Sequence, residues 1–131
     1  MTADPRAKTV DTRTDVPDAR VIRALWIGLL VPPAAFLLNL EVAYALVPTA
    51  CSSSNQLLVH GVHIVCLALA AAGGASAWQV WRSSGKTWPG DEGGSLGRNR
   101  FMAGMGLLTS SLFILVIAAQ WIPSFLMNPC Q

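Results

Sequence analysis

Two histidines, three cysteines and one isolated carboxylate are the residues of this 131-residue chain whose types could do chemistry. The carboxylate is Glu41, the only charged residue between Ala24 and Trp81; from Phe101 to Gln131 there is none. His60 and His63 stand three apart, so a helix places them on one face, and Cys66 continues that stripe. A carboxylate beside an imidazole can form a buried pair or pass a proton, and imidazoles with sulfur donors can hold a metal. Cys51 and Cys130 each follow closely on a proline, Pro48 and Pro129, and could close a disulfide.

The elements that must position these groups are written in the composition. Hydrophobic residues make up 53% of the chain and charged residues 12%, with a mean hydropathy of +0.48. A soluble domain carries about a quarter charged residues, so too few are present to cover a water-exposed surface. That excludes a soluble enzyme, a nucleic-acid binder and a wholly disordered chain. A net charge of +2 points to no acidic partner.

A bilayer core of about 30 Å needs about 20 mainly apolar residues in a helix. Three segments qualify: Ala24 to Val47, Leu57 to Trp81 and Phe101 to Ile122. With no water to satisfy their backbones, all three must be helical, so the expected fold is an all-α, three-helix transmembrane bundle. Arg6, Lys8, Arg13, Arg20 and Arg23 precede the first span; Arg82, Lys86, Arg98 and Arg100 separate the second and third. No Lys or Arg remains for the other side, so the positive-inside rule puts the N-terminus in the cytoplasm and the C-terminus outside. Trp26, Trp78, Trp81 and Trp88 then mark the inner interface, with Tyr44 and Trp121 near the outer one. Residues 1–20 read as a polar cytoplasmic tail and 21–131 as the membrane domain.

Several competing readings fall away. The first apolar stretch is too long for the core of a signal peptide, and 23 polar-rich residues precede it. Pro48-Thr49-Ala50-Cys51 resembles a lipoprotein cleavage site, but proline replaces the aliphatic residue. Gly85-Lys86-Thr87 looks like the end of a phosphate-binding loop, but Val80 stands where the first glycine is needed. Asp18 and Ser95 are the expected caps of the first and third helices. Pro32-Pro33 should kink the first helix.

Most embedded polar groups share one level. Counted along their helices, Glu41 and His63 each lie about 9 Å below the outer end of a span, with His60 about one turn shallower. Asn39, Tyr44 and Gln120 are close in depth. A carboxylate in hydrocarbon must be neutralised, paired, or turned toward water or protein, and a Glu41–His63 pair meets that need. Such a pair can lock two helices or serve proton handling, quinone contact or partner docking. Haem ligation is disfavoured, because no third histidine exists and Met102 and Met105 lie at the inner end. Copper could use His60, Cys51, Met127 and Cys130 on the outer side, although their spacing fits no ligand motif. A structural Cys51–Cys130 disulfide is the expectation for an oxidising outer compartment; Cys66 reads as a small apolar filler. No cofactor is expected. Ala70/Gly74, Gly73/Ala77 and Gly106/Ser110 are spaced by four, which suits close helix packing within the bundle or against another membrane protein.

Tyr44-Ala45-Leu46-Val47-Pro48-Thr49-Ala50-Cys51, His60, Arg100-Phe101-Met102-Ala103, Ala119-Gln120-Trp121-Ile122-Pro123 and Pro129-Cys130 carry a resemblance. Together they resemble small three-span proteins encoded near bacterial haem–copper terminal oxidases, over most of residues 21–131. The resemblance implies a bacterial inner-membrane protein associated with a respiratory oxidase or its assembly, and it transfers no catalytic residue. The expected function is therefore non-enzymatic: an accessory subunit or assembly factor whose partners are the lipid bilayer and another integral membrane protein. Two alternatives remain, an outer-side thiol-redox or copper-handling protein and a proton- or quinone-linked component using Glu41.

Overall fold

The computed structural model describes residues 18–53, 57–85 and 94–126. Three long helices, α1 (Ala19–Ser53), α2 (Leu57–Ser83) and α3 (Ser95–Trp121), are followed by the single turn α4 (Pro123–Leu126). Each long helix, α3 taken with α4, is long and apolar enough to cross a membrane. The tail up to Pro17, the loop segment holding Lys86, Thr87 and Trp88, and the segment holding Met127 and Cys130 lie outside the described residues.

The helices outrun the expected spans. α1 continues through Pro48 to Ser53, so this stretch is helix where an outer loop was expected. Proline deprives one carbonyl of its donor, and nearby hydroxyls bond other carbonyls of the same stretch: Thr49 Oγ1 donates to Leu46 O, and Ser52 and Ser53 both donate to Thr49 O. Asp18 takes the expected position before α1, its carbonyl accepting from the N–H groups of Val21 and Ile22. Ser95 does not cap α3. It is the first helical residue, and Gly94, with φ 111°, holds the capping position without any side-chain bond.

The bundle is held by three stripes of mostly small residues. The stripes run through the buried positions Leu25, Gly28, Pro32, Ala35 and Asn39 on α1, His63, Cys66, Ala70, Gly73, Ala77 and Val80 on α2, and Ala103, Gly106, Ser110 and Ile117 on α3, with Ala50 and Gly104 buried beside them. The alternation of three and four is that of a left-handed helical bundle. In lipid there is no hydrophobic drive between helices, so close packing must supply the association. The tightest of these contacts lie nearer the end that carries Arg23, Arg82 and Arg100 than the end that carries Asn39 and His63. A Cβ on Gly28 would stand 2.9 Å from Ala77 Cβ, one on Gly73 would stand 3.0 Å from the Pro32 ring, and one on Gly106 would stand 3.0 Å from Ala77 Cβ. Pro32 supplies no N–H to the Gly28 carbonyl, and that carbonyl faces Gly106 across the α1–α3 contact. The four-spaced small residues thus serve internal packing.

Hydroxyls inside the bundle are satisfied locally. Ser110 donates to Gly106 O, while Ser76 reaches both Gly73 O and, across to α1, Ala24 O. At the end of the bundle that carries Arg82 and Arg100, Gly85, with φ 95°, ends α2, and Arg100 Nε donates to Ser84 O at 2.6 Å. A cation at a helix C-terminus complements both the unpaired carbonyls and the dipole. Leu30, Leu37, Ile64, Leu108 and Leu115 are exposed around the outside, as lipid-facing residues should be.

Candidate functional site

At the opposite end of the bundle, where α2 begins and α3 ends, the small-residue stripes give way to polar side chains. Asn39 is 1% exposed and His63 3%, although both are polar. Asn39 sits on the α1 stripe four residues beyond Ala35, and its Nδ2 donates to Gln120 Oε1 of α3 at 3.0 Å. Beneath this bond lies an apolar layer of Cys66, Ala70 and Ile117, with Phe36 against it. Cys66, the free cysteine among the described residues, is a buried filler in that layer.

The two imidazoles are held by different partners. His63 Nδ1 lies 2.9 Å from Val59 O, and a carbonyl can only accept, so Nδ1 carries the proton and Nε2 is left as an acceptor. His60 is the reverse. Trp121 Nε1 donates to His60 Nδ1 at 2.8 Å, and an indole can only donate, so the neutral ring carries its proton on Nε2. Trp121 also lies nearly parallel to His63, at 14° with centroids 6.1 Å apart, and Phe125 of α4 stacks on His60 at 5.0 Å. Ile122 keeps helical dihedrals, so α4 carries on in the direction of α3 and Phe125, four residues after Trp121, falls on the same face.

The expected Glu41–His63 pair is not formed. Glu41 is exposed, and none of the described residues bonds or pairs with it. Helical geometry gives the reason: Glu41 is two residues, about 200°, round from Asn39, so it turns away from the helix neighbours that Asn39 faces. Asn39 and Gln120, expected only to be near in depth, are brought together. Trp121 was expected as an interface marker; its bond to His60 was missed, although both residues fall within a turn of the same end of adjacent antiparallel spans.

Between α1, the start of α2 and the end of α3 lies a cavity of about 490 Å³. Asn39, His60, His63 and Gln120, with the Tyr44 and Ser124 hydroxyls, supply its polar lining; Leu40, Val47, Val59 and Pro123 are among its apolar walls. Asn39 Oδ1 is buried and has no hydrogen-bond partner. Among the described residues no three of His, Cys, Asp and Glu gather as a metal set would. Cys51 is half-buried near the end of α1, and Cys130 and Met127 lie outside the described residues. An apolar cavity with a few convergent polar groups is the usual form of a binding site.

Fold and site together define a three-span α-helical membrane protein with a polar-floored cavity at one end of the bundle. No family model, curated relative or solved structure matches the chain.

Proposed function

We propose that this protein is a non-enzymatic subunit or assembly factor of a larger complex in the bacterial inner membrane, and that the complex is a respiratory terminal oxidase. The observation that carries partner docking is the exposure of Glu41. About 18 Å of helix separates it from Ser53, which places it well inside the apolar stretch of α1. A carboxylate turned outward there costs at least a few kcal/mol against lipid. Tyr44, three residues on and 85% exposed, presents a second polar group on the same face. A neighbouring membrane helix bearing a cation or hydrogen-bond donor would satisfy both. The choice of an oxidase rests on the sequence resemblance, and the cytoplasmic N-terminus on the one-sided Lys and Arg.

In this reading a Cys51–Cys130 disulfide ties the outer ends of the chain together. Faster mobility on a non-reducing gel, lost in Cys130→Ser, is the expected outcome.

Extraction in mild detergent tests the docking. Oxidase subunits should accompany the wild-type protein and be lost with Glu41→Leu, while that variant keeps its own stability within about 0.5 kcal/mol. Wild-type protein emerging alone, or the same subunits accompanying Glu41→Leu undiminished, overturns the reading.

A further inference from the structure

We propose that the outer cavity binds a membrane-soluble molecule through a hydroxyl group on an apolar body, with Asn39 Oδ1 accepting the hydroxyl proton. This goes beyond partner docking: Tyr44 borders both surfaces, but Glu41, which carries the docking reading, is not among the cavity's lining residues, and Asn39, which carries this one, is buried inside the bundle.

Three observations converge. First, a buried amide oxygen without a partner is unusual in a folded protein and asks for a donor. Turning the Asn39 amide alone would set its oxygen against the Gln120 oxygen, so with Gln120 as it stands the free end of Asn39 is the acceptor. Second, the bonds already made set what each remaining atom in the lining can do. Trp121 leaves His60 presenting an N–H, and Val59 leaves His63 presenting a lone pair. Asn39 Oδ1 and His63 Nε2 are therefore acceptors and His60 Nε2 is a donor. A hydroxyl both donates and accepts, so it can use members of both sets; a ketone, ester or ether oxygen can only accept and leaves Asn39 unsatisfied.

Third, the surroundings fit an apolar body. The cavity, about 490 Å³, is within the range of small-molecule sites, and Leu40, Ala43, Val47 and Val59 line the way past its polar groups. A water-soluble polyol would strand its other hydroxyls against these walls. Two sources share the required chemistry, a phenolic ring such as a quinol head and an aliphatic alcohol.

The test uses the full chain in lipid nanodiscs and three probes: para-octylphenol, its methyl ether and decanol. Wild-type protein should bind the phenol or decanol saturably, and the preferred alcohol should bind about tenfold more tightly than the ether, the scale of one buried hydrogen bond. Preference for the phenol identifies an aromatic ligand and preference for decanol an aliphatic one. Asn39→Leu should abolish the preference over the ether. In case that variant fails to assemble, asparagine-labelled wild-type protein provides a second readout. The Asn39 side-chain carbonyl resonance should move with the favoured alcohol and stay still with the ether. Equal binding of alcohols and ether, no saturable binding above partition into the lipid, or an unmoved Asn39 signal overturns the proposal.

Discussion

Trp121 donates its indole N–H to Nδ1 of His60 at 2.8 Å, and this contact joins the end of α3 to the start of α2. It also fixes which nitrogen of His60 faces outward as a donor. Trp121→Phe keeps the ring against His63 but removes that donor. We expect a loss of about 0.6 kcal/mol, the mean for interhelical hydrogen bonds in a membrane, read by unfolding in mixed detergent micelles. Nitrogen chemical shifts should show His60 released from its single tautomer while His63, held by Val59, keeps its own.

The glycine contact between α1 and α2 should tolerate no added methyl group. A Cβ at Gly28 would meet Ala77 Cβ at 2.9 Å and the Gly73 backbone oxygen at 3.2 Å, so the backbones must separate. Gly28→Ala should cost about 1–3 kcal/mol, as overpacking does. Gly61→Ala is the control. Nothing lies within 4 Å of its added methyl, and the better helix former should leave stability unchanged or slightly raised. Equal effects of the two substitutions on the unfolding midpoint would contradict the packing described.

Removing either end of the Asn39–Gln120 bond should not cost the same. Gln120→Leu strands a fully buried Asn39 with both ends unpaired, at about 1–3 kcal/mol. Asn39→Leu removes the orphaned oxygen with the bond and leaves only the half-buried Gln120, which can turn outward. Gln120→Leu should therefore be the more destabilising, by the same unfolding measurement; the reverse order would place the unmet polar group elsewhere.

At the end of the bundle away from the cavity, Arg100→Gln removes the guanidinium from the last carbonyls of α2. The expected effect is local: faster amide exchange at Ser84 and Gly85, with little change around Asn39 and His63. Arg100→Lys should restore the charge at the helix terminus but not the fixed geometry of the bond from Nε, so protection should return only in part.

Three helices and their small-residue packing were legible because lipid leaves so few options, whereas their ends, α1 above all, ran past the apolar stretches. An apolar run must satisfy its backbone internally, and Gly73/Ala77 or Gly106/Ser110 at four-residue spacing brings helices close wherever they meet. Depth was legible too: counting residues put Asn39, His60, His63 and Gln120 at one end, and they share one cavity there. Direction round the axis was not. Each residue turns the helix by about 100°, so Asn39 and Glu41 lie at similar depth on nearly opposite sides. Only the meeting of the three stripes, with Gly28, Gly73 and Gly106 at the closest approach, settles that Asn39 faces inward and Glu41 outward. The acceptor left bare on Asn39 is likewise a product of that assembly, because an amide's partners are set by its neighbours in space.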